Sequence, residues 1–191
     1  GDAGGIHVGV NGVDVAKVGD KYLCYVMVNY DVDRLYCFDV TDPAHPEPYK
    51  AFGDNGVLEL GADGAITISD GDYIDVDSDG VVWLCAGDVL KIAPDGSALL
   101  GKIAGAGAYS VCHAGNYVIV GRKDGSAITV YDDSSLEKIT DVKYDTETYG
   151  TRIGRVMVID DILFATNTAE NDGGAFAAIM AAPLTADAEG K

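Results

Sequence analysis

Asp75, Asp77 and Asp79, followed by Gly80, set three carboxylates at alternate positions ahead of a turn residue. That is the spacing with which the first half of a calcium loop wraps side-chain oxygens around a hard cation. The second half does not follow, because Trp83 and Ala86 stand where the loop's later ligands, including its bidentate Glu, are required. An Asp-Gly turn capping a strand accounts for the same residues. Calcium is thus the one cofactor the sequence allows, with the plain turn as the competing reading.

Other reactive side chains are dispersed. The three His stand apart as His7, His45 and His113. Cys112 and His113 are adjacent on an extended segment, so they point to opposite faces and cannot act as nucleophile and base for each other; His113 reads as a core or turn residue. No nucleophile elbow, HExxH, Walker loop or dinucleotide fingerprint occurs, and Gly105 to Tyr109 is glycine-rich with no helix after it to make a phosphate cradle. No catalytic residue is assigned.

The four Cys (Cys24, Cys37, Cys85 and Cys112) lie in apolar runs without a CxxC pair, as small buried hydrophobes do. One pairing has a geometric basis. A hairpin turning about Tyr30-Asp31 would put Cys24 directly opposite Cys37, with Cβ atoms about 4.5–5.5 Å apart, open to a cross-strand disulfide.

These residues are embedded in alternating apolar segments punctuated by many of the 25 Gly, a pattern of short strands and tight turns. Lys plus Arg number 13 against 31 Asp plus Glu, for a net charge of -18. Such a surface repels phosphate backbones and anionic lipid, which argues against nucleic acid as a partner. No apolar run reaches the roughly 20 residues of a membrane span. The chain begins at Gly1-Asp2 with neither an initiator Met nor a signal-peptide pattern, as a processed or recombinant fragment would.

In chain order, IHVGV (Ile6 to Val10) reads as a free short strand, then VDVAKV, YLCYVMV, LYCFDV and EPYKAF as an antiparallel meander. The YLCYVMV strand is nearly continuous in apolar residues, so both of its faces should be covered. Related units recur at about 72–105, 108–145 and 152–185 after the first at 11–53, with Tyr22, Val82, Tyr117 and Ile162 in register. A hairpin over 57–69 is inserted between the first two. In the last unit, residues 175–182 favour helix by propensity and strand by position. That unit also lacks a fourth strand, which IHVGV could supply by closing a ring.

The expected fold is therefore all-β: a single β-propeller domain over residues 1–191, built from about four four-stranded antiparallel blades, closed as a small ring or forming part of a larger one. A two-sheet antiparallel sandwich is the alternative.

VDVAKVGDKYLCYV followed by RLYCFDVTDPAHPEPY resembles the LVIVD repeat, a bacterial β-propeller unit whose third strand ends in D-V-[ST]-D-P-x-x-P. IDVDSDGVVWLCAGDVLKIAPDGS is more similar to NHL and lyase-type blades, in which a D-x-D-G-x-[VI]-W turn is common. The resemblance implies a propeller and, as a location, the outside or surface of a bacterial cell. It implies no single function.

In such a ring the loops between second and third strands, and the links between blades, would share one end, and loops held by a rigid scaffold carry binding. These loops hold Asn29, Tyr30, Asp31, Asp33, Arg34, Arg122, Lys123, Asp124, Asn167, Glu170, Asn171 and Asp172, with Arg152 and Arg155 nearby. Arg34, Arg122, Lys123 and Arg152 would gather several of the chain's few cations there, a surface for an anionic or carbohydrate ligand. The 11 Tyr also suit sugar or protein contacts wherever they are exposed. Three functions follow: a non-catalytic binding or scaffold propeller for a protein or carbohydrate, a lyase or hydrolase working in a central cleft, or a structural module whose ring is completed by another chain, a second copy included.

Overall fold

The structure is a computed structural model, and it describes residues 8–61, 66, 68, 71–122, 128–145, 153–167 and 179–184. Every regular element among them is a β-strand. Two compact units divide the chain: the first takes Gly1–Ala86 and Leu90–Gly101, the second Gly87–Val89 and Lys102–Lys191.

The first sheet is the antiparallel meander β1 (Val8–Val18), β2 (Lys21–Tyr30), β3 (Arg34–Asp39) and β4 (Glu47–Pro48). β5 (Val57–Glu59) pairs with β3 as well, so this part of the inserted segment joins the first sheet. Much of that segment's expected second limb lies outside the described residues. The Asp-Pro breakers act as expected between β3 and β4: Asp39 Oδ1 accepts from Thr41 N–H and Asp42 Oδ1 from Ala44 N–H, both at 3.0 Å. Such side-chain-to-backbone bonds offer the chain a turn in place of a ladder.

Two details correct the sequence reading. Val8, Gly9 and Val10 are not a free strand; they pair with Tyr30, Asn29 and Val28, and β1 runs on past an irregularity between Val10 and Gly12. β2 is long enough to engage both segments, which satisfies more backbone groups than a separate strand could. Among the described residues Val8–Val10 pair with β2 and with no strand of the last sheet. The second correction is register. Cys24 faces Phe38 and Tyr25 faces Cys37, because the ladder starts at Val28 opposite Arg34 and the loop between has an odd length. A one-residue slip moves side chains to opposite faces, and Cys24 and Cys37 are both free thiols.

Alternation in this sheet gives two apolar faces. One carries Leu23, Tyr25, Met27, Leu35 and Cys37 into a core shared with Phe52, Leu60, Ile74, Leu84 and Ile92. Each fully buried aliphatic side chain there contributes about 1.5–3 kcal/mol. The other face is ordered in rows across the strands, Val13 with Val26 and Tyr36, then Val15 with Cys24 and Phe38. The Tyr36 and Phe38 rings stack at 6.3 Å. Contrary to the expectation that both faces of β2 are covered, Val15 is 53% exposed, and Val13 and Tyr22 are exposed beside it.

β6 (Ile74–Val76), β7 (Val82–Ile92), β8 (Leu99–Ala114), β9 (Tyr117–Arg122), β10 (Ile128–Asp132) and β11 (Lys138–Val142) lie side by side in one six-stranded sheet. β12 (Ile153–Ile159), β13 (Ile162–Asn167) and β14 (Ile179–Pro183) form a three-stranded sheet. The described strands thus group as five, six and three, where four separate groups of four were expected. β7 and β8 account for much of the difference. Their strand assignment continues through Gly87 (φ 73), Gly105 (φ 64) and Gly107 (φ 57), where the sequence suggests chain breaks. Glycine can take the left-handed conformation that lets the strand run on through these points.

In the last sheet the described part of the ambiguous segment, Ile179 to Ala182, is strand within β14, which is laddered to β13 from Ile162–Pro183 to Thr166–Ile179. Pairing overrides its helical preference. Ile159 and Ile162 bracket a two-residue turn with Asp160 at φ 49 and Asp161 at φ 60. Two positive φ values are the mark of a type I′ hairpin, which matches the strand twist. Val156, Leu163 and Ala165 face a core with Ile119, Ile128 and Ile153. The opposite face, which carries Met157, Ile159 and Ile162, is exposed, with Ile159 at 53%.

Candidate functional site

The loop from Asn29 to Arg34 is the best-defined of the predicted binding segments, and the first unit braces it at both ends. Asn29 is 1% exposed, and its Nδ2 donates to Gly71 O at 2.9 Å. Asn11 Nδ2 reaches the same carbonyl at 3.4 Å. Arg34 Nε donates to Glu59 Oε1 at 2.7 Å, and Leu60 N–H donates to Asp33 O at 2.9 Å. Hydrogen bonding to Tyr36 and Glu59 raises the Arg34 pKa further. Arg34 therefore serves partly as a loop clamp, its charge met by Glu59.

Between these clamps Tyr30 is 70% exposed and takes φ 85. A bulky residue in that region is strained. Its ring lies against Gly9, the ladder partner of Asn29: a Cβ on Gly9 would fall 2.2 Å from Tyr30 Cε2 and 2.7 Å from Cδ2. Only glycine admits the ring this close to the backbone. The outcome is an aromatic plate backed by main chain and open to solvent, with Asp31 exposed beside it. The sequence named Tyr30 as a loop residue; the role of Gly9 as its seat was missed, although a glycine inside a strand pattern is a signal of close approach.

The remaining predicted residues distribute as follows. Arg122 ends β9 and Asn167 ends β13, both in the second unit, where Arg122 also lowers the Asp141 pKa after Lys138 and Thr129. Lys123, Asp124, Arg152, Glu170, Asn171 and Asp172 lie outside the described residues, as does His7. Asp75 sits in β6 opposite Trp83. Asp77 is occupied with its own turn: its Oδ1 accepts from Asp79 N–H and Val81 N–H, each at 2.9 Å, and its carbonyl from Gly80 N–H. Among the described residues no group of three His, Cys, Asp or Glu side chains is arranged to hold a metal ion.

Three further features were not anticipated. His113 Nε2 lies 3.1 Å from Asp133 Oδ2, with both side chains largely buried. The pair spans β8 and the end of β10, a neighbour relation that sequence spacing alone does not reveal. His45 Nδ1 sits 2.9 Å from Asp42 Oδ2, exposed, in a hollow with Asp39, Thr41 and Glu47. There Lys21 and the Thr41 contacts hold Asp39 down to about 2. In the second unit, Val142, Lys143, Tyr144, Leu163 and Met180 are among the residues that line a hollow of about 370 Å³. The Tyr144 hydroxyl is buried with no hydrogen-bond partner among the described residues, and burial raises its pKa.

No protein-family model and no curated protein matches the chain. Solved structures do match, at low identity. A protein of unknown function from Bacteroides caccae superposes with a TM-score of 0.62 at 13% identity over 96% of this chain and 66% of that one. The computationally designed Ika4 protein gives 0.55 at 15% identity over 95% and 94%. The β-propeller domain of Cps50 (Swd1) from Myceliophteria thermophila gives 0.50 at 11% identity over 84% of this chain and 51% of that one. The chain thus spans about two thirds of the Bacteroides protein and half of the Swd1 domain. At such identities the likeness speaks of fold alone: an all-β, antiparallel, propeller-like architecture.

Proposed function

We propose that this chain is a non-catalytic binding module, a propeller built from about four blade-like units, whose contact face is the β2–β3 turn. The observation that carries the reading is the Tyr30 plate. An exposed aromatic ring in a strained backbone conformation, seated on Gly9 and flanked by the clamps of Asn29 and Arg34, is pre-organised, and pre-organisation lowers the entropy lost on binding. One open ring face, with the exposed Asp31 next in the chain, suits the apolar face of a sugar ring. Propeller-like structural relatives and the LVIVD-like signature at Leu35 to Pro46 support the architecture, and a bacterial secreted or surface location goes with it.

A glycan array probed with the purified chain, followed by calorimetry on any hit, tests this. Binding by the wild type that is lost in both Tyr30→Ala and Gly9→Ala, with the far-UV spectrum unchanged, is the expected result. Capture of protein but no glycan, or glycan binding indifferent to both substitutions, would refute it.

A further inference from the structure

The β1–β2 ladder carries an exposed tyrosine near each end, and the two are treated differently. Tyr22 stands opposite Lys17, whose ammonium lies 5.9 Å from the ring centroid. Tyr30 stands opposite Val8, and among the described residues no cation lies over its ring. A ring face is the negative side of the aromatic quadrupole, so it attracts a cation without a carboxylate. The first unit uses this pairing again, with Lys91 Nζ 4.8 Å from the centroid of Trp83. Charge around the plate points the same way. The cations of the first unit are Lys17, Lys21, Arg34, Lys50 and Lys91. Lys21 meets Asp39, Arg34 meets Glu59, and Lys17 and Lys91 sit on rings. Lys50 follows β4, which pairs with Phe38 and Asp39 and not with the Arg34 end of β3. Asp and Glu outnumber Lys and Arg in both units, for a net charge of -18, and the exposed Asp31 directly follows Tyr30. A field of that sign draws cations and repels anions.

We propose, resting on the saccharide reading of the Tyr30 plate, that its ligand is an amino sugar with a free amine, whose ammonium group lies against the open ring face. A neutral sugar gains the apolar contact alone, and an N-acetylated one has given up the charge that the ring and the field attract. A sugar acid meets a repelling field, with the neighbouring Arg34 already held by Glu59. The saccharide is favoured over a lysine-bearing peptide because a pyranose carries its ammonium on a rigid ring. A lysine must surrender the rotamer freedom of its four-carbon stem to place the same charge.

Calorimetric titration of the purified chain at about pH 6, where an amine is charged, tests this with tetramers of one linkage: glucosamine, N-acetylglucosamine and glucose. A galacturonate tetramer serves as the acidic arm and tetralysine as the cation that is not a sugar. The glucosamine tetramer should bind about tenfold or more tighter than its acetylated and neutral counterparts. Tyr30→Phe keeps a ring and should keep that preference. Tyr30→Leu keeps apolar bulk without a ring and should reduce the preference to below about twofold. Equal binding of the three uncharged and charged tetramers, lost in Tyr30→Leu, would overturn the amine assignment and leave the saccharide reading standing. A preference for the acid, an amine preference unchanged in Tyr30→Leu, or tetralysine bound as tightly as the glucosamine tetramer would also overturn it. Absence of any Tyr30-dependent saccharide binding would sink both. Should Tyr30→Leu lose its far-UV spectrum, Gly9→Ala, which displaces the ring from its seat, puts the same question.

Discussion

Replacing Asn29 by Ala asks whether the binding loop is held by buried hydrogen bonding or merely tethered between strands. Asn29 Nδ2 supplies the shorter of the two side-chain contacts to Gly71 O, 2.9 Å against 3.4 Å from Asn11. Truncation leaves that carbonyl with the longer contact alone. Removing one partner of a buried hydrogen bond costs about 1–3 kcal/mol, because the group left behind keeps its desolvation penalty. For a chain of this size each kcal/mol moves the melting temperature by about 2–4 °C, so Asn29→Ala should melt about 2–12 °C below the wild type. Asn11→Ala removes a longer and less buried contact and should shift melting by less than about 2 °C. Thermal unfolding followed by circular dichroism provides both numbers. Equal shifts for the two variants, or no shift for Asn29→Ala, would refute the assignment of Asn29 as the loop's anchor.

Asp161→Gly should stabilise the chain by about 0.5–1 kcal/mol in urea titration, because glycine takes the positive φ of the β12–β13 turn without the steric cost an aspartate bears; an unchanged midpoint would count against a type I′ turn. Acid should weaken the turn after β10. Contacts from Ser134 and Ser135 hold Asp132 down to about 2, below the ordinary value of 3.8, so its stabilisation is present above pH 4 and lost as pH falls through about 2. The difference in urea midpoint between the wild type and Asp132→Ala should therefore shrink across that window, and a constant difference would contradict it. Thiol alkylation at pH 8 should label Cys24 first, since Cys37 is buried with its pKa pushed up to about 12 and Cys85 is raised well above its usual value by burial. Mass spectrometry showing Cys37 modified in the folded chain would contradict its position in the core.

Strand identity was largely legible in the sequence because alternation and turn residues are local signals. LYCFDV became β3 with little displacement, and the aligned positions Val82, Tyr117 and Ile162 each begin a strand, β7, β9 and β13. Register was not legible. Pairing Cys24 with Cys37 required the length of a loop whose conformation depends on Tyr30 at positive φ, a state that sequence preference disfavours for tyrosine. Grouping into sheets was also beyond reach, since continuous assignment through Gly87 and Gly105 turns on backbone dihedrals that a glycine permits but does not dictate. For the candidate site, the polar loop residues announced themselves by type. The seat beneath Tyr30 and the His113–Asp133 contact come from neighbouring strands, and neighbour relations follow from register.

The division of the chain into units has a consequence for how this protein can be cut or recombined. Gly87–Val89 belongs with the second unit while Leu90–Gly101 returns to the first. Leu90 and Ile92, buried with Leu23 and Met27, therefore follow three residues that belong to the second unit, within one strand. A truncation at Ala86 would remove them from the first unit's interior, and a proteolytic nick at Gly87 would leave that interior assembled from two fragments. A cassette that keeps the first core whole must reach at least Ile92, and so carries Gly87–Val89 of the second unit with it.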